Sequence, residues 1–134
     1  MADRKQILLV EDTVSHQRLY SLWLKIGGYR SAIVKDERIA VSEAARLQPD
    51  LVIVDIRLPY ISGLDIIEAL KASADTGHIP ILALTVLDRH EAEAACYAAG
   101  ADAFALKPIE MDGFLQSIAR CWQRDALPIP SAGG

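Results

Sequence analysis

Four short apolar runs punctuate the chain: Ile7–Val10 (ILLV), Leu51–Val54 (LVIV), Pro80–Thr85 (PILALT) and Ala103–Leu106 (AFAL). Each is continuous rather than alternating, the mark of a strand covered on both faces in a parallel sheet. A fifth, weaker strand is predicted over Tyr29–Val34 (YRSAIV). Between the strands the spacing becomes helical. Leu19, Leu22, Trp23 and Ile26 recur at i, i+3, i+4 and i+7, and Gly27-Gly28 stops the pattern. Ile39–Gln48, Leu64–Ala72, Arg89–Ala99 (halted by Gly100) and Met111–Arg124 supply four more helices. Strand and helix alternate five times with no internal repeat, and right-handed crossovers then give a doubly wound α/β domain with a five-stranded parallel sheet.

At 134 residues the chain fits one domain, over 1–124, with no room for a second of ordinary size. The end, DALPIPSAGG (125–134), has the composition of a flexible tail or of the start of a linker. A net charge of −4, with 14 basic residues scattered rather than clustered, argues against direct nucleic-acid binding. Cys96 and Cys121 have neither metal-ligand nor framework spacing and read as small core residues of a reducing compartment. The first apolar run is four residues long before two acids arrive, too short for a signal peptide, and no stretch has the length of a membrane span. The expectation is a soluble, cytoplasmic protein without a membrane partner.

In such a sheet the functional crevice lies at the carboxyl ends of the strands. Glu11-Asp12 follows the first strand, Asp55 the third, Thr85 ends the fourth and Lys107-Pro108 follows the fifth. Three carboxylates, a hydroxyl and an ammonium therefore meet at one edge. Carboxylates about 5 Å apart repel by about 3 kcal/mol per pair at an effective dielectric near 20. A hard divalent cation relieves this, and Mg²⁺ takes one or two carboxylates together with waters and phosphate oxygens. A cation and a lysine also neutralise a phosphoryl group in transfer, and aspartate is a known nucleophile for it. Asp55 is accordingly assigned as phosphoacceptor and Asp12 as direct metal ligand, with Glu11 supporting through water. Thr85 and Lys107 are assigned to the phosphoryl group, Lys107 pairing with Asp55 when the site is empty.

The segments ILLVED, DIRLPYISGLD, HIPILALT and AGADAFALKP resemble, in order and spacing, the four signature segments of response-regulator receiver domains. The resemblance covers about residues 5–124, and the stretch from Asp55 to Thr85 is most similar to single-domain, DivK-type receivers. It implies the flavodoxin-like strand order 2-1-3-4-5. It also implies a phosphohistidine donor, either a histidine kinase or a histidine phosphotransfer protein, and a role for the Arg57 backbone carbonyl in holding the metal. A switch is implied too: Thr85 moves toward the phosphoryl group, Phe104 turns inward behind it, and helix 4, strand 5 and helix 5 present the change to a downstream protein target. The Lys107-Pro108 bond is expected to be cis. Rim positions Arg57, Val86 and Leu87 are expected to tune hydrolysis, Val86 narrowing the entrance. Whether phosphorylation drives a homodimer is left open.

Plainer interpretations compete. Glu11-Asp12 alone could cap a helix, Thr85 alone suits a strand, and Phe104 could be ordinary core. Pro59 and Gly63 shape the loop after Asp55, with Gly63 a candidate for positive φ. His16, His78 and His90 fall on separate elements and receive no role. Three other functions compete. A phosphatase of the haloacid-dehalogenase type needs a D-x-D on strand one, which VEDTV lacks. A flavodoxin-type carrier needs a phosphate loop where EDTVSHQ would repel one. A degenerate receiver, binding partners without phosphorylation, is disfavoured because all five site residues are present. On this reading the protein is no enzyme beyond its own phosphotransfer and autodephosphorylation.

Overall fold

The computed structural model describes residues 4–86 and 89–126. Strands β1 (Gln6–Val10), β2 (Arg30–Val34), β3 (Leu51–Asp55), β4 (Ile81–Thr85) and β5 (Ala103–Leu106) alternate with helices α1 (Val14–Ile26), α2 (Ala40–Leu47), α3 (Gly63–Ala72), α4 (Arg89–Ala99) and α5 (Met111–Ala126). A single 3-10 turn, Glu37–Ile39, leads into α2. The strands form one parallel sheet in the order β2-β1-β3-β4-β5, the doubly wound arrangement expected. Helix α5 runs two residues beyond the expected Arg124, and residues 127–134 of the expected tail lie outside the described residues.

Strand periodicity divides each apolar run between two cores. Leu8, Val10, Val52, Val54 and Ala83 face a layer closed by Ala40, Ile66, Ile67, Leu70 and Cys96. Ile7, Leu9, Ile53, Leu82 and Leu84 face one closed by Tyr20, Leu24, Phe114, Ile118 and Cys121. Each fully buried Leu or Ile contributes about 1.5–3 kcal/mol of transfer free energy, so the sheet is the thermodynamic centre of the fold. The two cysteines are buried and form no disulfide, and they lie on opposite faces of the sheet. Among the described residues, no helix is long and apolar enough to cross a membrane.

Two expectations change. The stripe Leu19, Leu22, Trp23, Ile26 does form a helix, but Leu19, Leu22 and Ile26 are exposed. The inward row of α1 is Gln17, Tyr20 and Leu24, because this face has polar work to do at the end of β1. Strand β5 alternates buried and half-buried residues, since it is an edge strand with a neighbour on one side.

Gly63 is needed for contact rather than for φ. Positive φ among the described glycines occurs at Gly28 (89°) and Gly100 (113°), the two helix stops anticipated above. At Gly63 a Cβ would stand 2.3 Å from the Asp55 carbonyl oxygen. Its absence lets α3 begin directly under the end of β3, with Gly63 N–H donating to Ile56 O at 3.0 Å and the Ser62 hydroxyl capping the helix on Leu64 N–H at 3.2 Å.

Candidate active site at the carboxyl edge of the sheet

The strand register levels the site residues. Val10 pairs with Val54, Asp55 with Leu84, and Thr85 with Leu106. Glu11, Asp55, Thr85 and Lys107 therefore emerge at neighbouring heights on one edge, although 96 residues separate the first from the last. Lys107 is further located by its N–H, which donates to Thr85 O at 2.7 Å. The Lys107-Pro108 bond is cis.

Carboxylate oxygens of Glu11, Asp12 and Asp55 lie within 4.8 Å of one another. Glu11 is wholly buried and Asp55 is 5% exposed, while Asp12 opens to solvent. The Lys107 ammonium reaches into this group, 3.0 Å from Asp55 Oδ2 and 3.4 Å from Glu11 Oε2. The other Asp55 oxygen accepts the Arg57 N–H at 3.1 Å. Glu11 is held by its own neighbours: Oε1 accepts Thr13 N–H at 3.2 Å, and its backbone carbonyl accepts Gln17 Nε2 at 2.7 Å. Thr85 is fully buried at the end of β4. Phe104 is half-buried on β5, edge-on to Tyr97 of α4 with centroids 5.7 Å apart. Of the rim residues, Arg57 and Val86 are exposed, and Leu87 lies outside the described residues.

Electrostatics explain why these groups tolerate one another. Burial raises the Glu11 pKa, the Asp55 charge raises it further, and Lys107 partly reverses both. For Lys107, burial acts to lower the pKa, but the hydrogen bond and charge of Asp55 and the charge of Glu11 outweigh it, and the net shift is upward. The ammonium is thus fixed in its charged form between two acids. Three hard oxygen donors, one of them open to water, suit a small hard divalent cation better than a soft metal.

Two residues next to the site, Gln17 and Tyr20, do not stand out in the sequence, and His16, given no role above, also lies beside it. Gln17 braces the Glu11 backbone. His16 Nδ1 stands 3.4 Å from Glu11 Oε1. Tyr20 places its ring 5.8 Å under the Lys107 ammonium, a cation–π distance. The signal was available in part: an inward helical row beginning with a glutamine, directly after an acidic pair, is unusual for core packing.

The family model for the response regulator receiver domain matches residues 7–119. Among curated proteins, the polar-differentiation response regulator DivK of Brucella anthropi is 30% identical over 114 residues, which is 85% of this chain and 93% of DivK. Among solved structures, chemotaxis protein CheY4 of Vibrio cholerae gives a TM-score of 0.82 at 26% identity, covering 89% of this chain and 99% of CheY4. The receiver domain of the sensor histidine kinase PA1611 from Pseudomonas aeruginosa, solved with a magnesium ion coordinated in its active site cleft, gives 0.79 at 32% identity, covering 90% and 98%. Sheet order, acidic edge and sequence all converge, and the chain belongs to the response regulator receiver domain family, the CheY- and DivK-like modules of two-component signalling.

Proposed function

We propose that Asp55 accepts a phosphoryl group from a phosphohistidine on a histidine kinase or histidine phosphotransfer protein, in a Mg²⁺-dependent transfer. The observation that carries this reading is the Lys107 ammonium, 3.0 Å from Asp55 within a cluster of three carboxylates. An Asp55 oxygen attacks phosphorus, the P–N bond breaks, and its electron pair stays on the departing nitrogen, so the donor histidine leaves as neutral imidazole with the proton of its other ring nitrogen retained. Bound Mg²⁺ would neutralise the oxygens of the phosphoryl group in transfer. Asp12 and Asp55 would hold it directly, with the Arg57 backbone carbonyl, and Glu11 would act through water. Lys107 then exchanges its bond to Asp55 for one to the phosphoryl group, and the Thr85 hydroxyl supplies a further donor.

Phosphorylation is read at the face of α4, β5 and α5. Drawing Thr85 toward the phosphoryl group frees space behind it, and Phe104 turns into that space. Phe104 has no hydroxyl to desolvate, so the inward state is less costly for it than for a tyrosine. The same turn breaks its edge contact with Tyr97, which changes the α4 surface offered to a downstream protein. The chain's own catalysis is limited to phosphotransfer and autodephosphorylation of the aspartyl phosphate.

The test is Asp55→Asn, a nearly isosteric change to a poor nucleophile. The folded variant should form no acyl phosphate with any phosphohistidine donor, by intact-mass spectrometry. An acid-stable phosphate, or one that persists in the variant, would refute the assignment.

A further inference from the structure

Residues 57–61 carry Arg57, whose amide holds Asp55 and whose carbonyl is proposed for the metal. Leu58 and Ile61 pack partly buried against the core, but the segment's backbone is held by few hydrogen bonds. Among the described residues, the hydrogen bonds of this segment's backbone N–H groups are two. Arg57 N–H donates to Asp55 at 3.1 Å, and Tyr60 N–H donates to Glu37 Oε1 at 3.2 Å. Only the second ties the segment to a different part of the fold. Glu37 comes from the turn between β2 and α2, 23 residues away. The adjacent Arg38 reinforces the link from outside. Asp36 holds its guanidinium through Nε at 2.9 Å and Nη2 at 2.8 Å, and it lies 4.6 Å from the centre of the exposed Tyr60 ring.

Glu37 is an unexpected residue for this task. Glu37 is 3% exposed, and its second oxygen, Oε2, is buried without a hydrogen-bond partner among the described residues. An unpartnered buried polar group opposes folding. Packing alone would favour an apolar residue of the same size. What Glu37 provides that an apolar residue cannot is an acceptor for one specific amide.

We infer that Glu37 is a positioning residue of the phosphorylation site. By accepting the Tyr60 N–H it holds residues 57–61 in the arrangement that aims the Arg57 carbonyl at the cation and keeps the Arg57 amide on Asp55. This rests on the phosphoacceptor reading above. Outer groups that orient ligands in this way commonly change metal affinity by about tenfold or more when removed.

The discriminating variants are Glu37→Met, which keeps the volume and removes the acceptor, and Glu37→Gln, which keeps an acceptor oxygen. Neither buries a carboxylate, although Glu37→Gln keeps a polar amide at the Oε2 position and Glu37→Met leaves the Tyr60 N–H without its acceptor, so the melting temperature of each is measured alongside. Amide hydrogen exchange read by NMR reports the clip, and calorimetric titration of unphosphorylated protein with MgCl₂ reports the site. Glu37→Met should exchange the Tyr60 amide faster and bind Mg²⁺ about tenfold more weakly, while Glu37→Gln stays close to wild type in both. A merely structural residue would move the melting temperature and leave Mg²⁺ affinity alone. Wild-type Mg²⁺ affinity in Glu37→Met would overturn the inference, and so would equal weakening in Glu37→Gln. If wild-type protein binds no Mg²⁺ at all, the phosphoacceptor reading itself fails, a separate result that takes the inference with it.

Discussion

Replacing Lys107 with methionine keeps the stem and deletes the charge that two buried acids share. At an effective dielectric near 20, an ammonium about 3–3.5 Å from a carboxylate attracts it by about 5 kcal/mol, most of which offsets the cost of burying the ions. The net loss has a ceiling, because the fold can escape by protonating Glu11. Holding a carboxyl of ordinary pKa 4.5 neutral at pH 7 costs about 3 kcal/mol, at 1.36 kcal/mol per pH unit. Lys107→Met should therefore lose about 2–3 kcal/mol at pH 7 and under about 1 kcal/mol at pH 5. The sign follows from Glu11. Its folded pKa is raised, so its charging opposes folding as pH climbs from 4.5 through the folded value. Without Lys107 that folded value rises further, and the loss grows across the same window. Lys107 in wild type, with its pKa raised, contributes stability that is complete below 10.5 and disappears as pH rises through the folded value. Urea unfolding of both proteins at pH 5, 6 and 7 without Mg²⁺ measures the difference, and added Mg²⁺ should recover most of it at pH 7. A deficit equal at pH 5 and pH 7, or below about 0.5 kcal/mol at pH 7, would show that Lys107 does not hold the charge balance of this site.

Asp12→Ala should abolish Mg²⁺ binding by calorimetry while raising apo stability by about 0.5–1 kcal/mol, a value discounted because Asp12 is exposed. Unchanged Mg²⁺ affinity would remove Asp12 from the metal site. Val86 follows Thr85 and is 45% exposed; its branched side chain is stiff, and the expectation that it narrows the approach of small molecules to Asp55 has a direct test. Val86→Ala should speed both phosphorylation by acetyl phosphate and decay of the aspartyl phosphate, about tenfold for each 1.4 kcal/mol removed from the barrier. Rates within error of wild type in both assays would refute the narrowing.

The alternation of elements was legible in the residues themselves, because continuous apolar runs such as LVIV mark strands covered on both faces, while spacings such as that of Met111–Arg124 follow the 3.6-residue helical period. So was the acidic edge: once strands are parallel, residues that end them must gather on one side, and Glu11, Asp12, Asp55 and Lys107 could be named from their positions alone. Local pattern was misleading on α1, where the apolar row Leu19, Leu22, Ile26 faces outward and Gln17 and Tyr20 face the site. Hydrophobicity marks the inward face only where that face has nothing polar to do. It was also misleading at Gly63, whose requirement is set by the Asp55 carbonyl beneath it rather than by its own dihedral. Glu37 had no local signal whatever. Its partner is a backbone amide 23 residues away, and an amide looks the same in every sequence, so such a contact exists only once the chain has closed on itself and brought the two turns together.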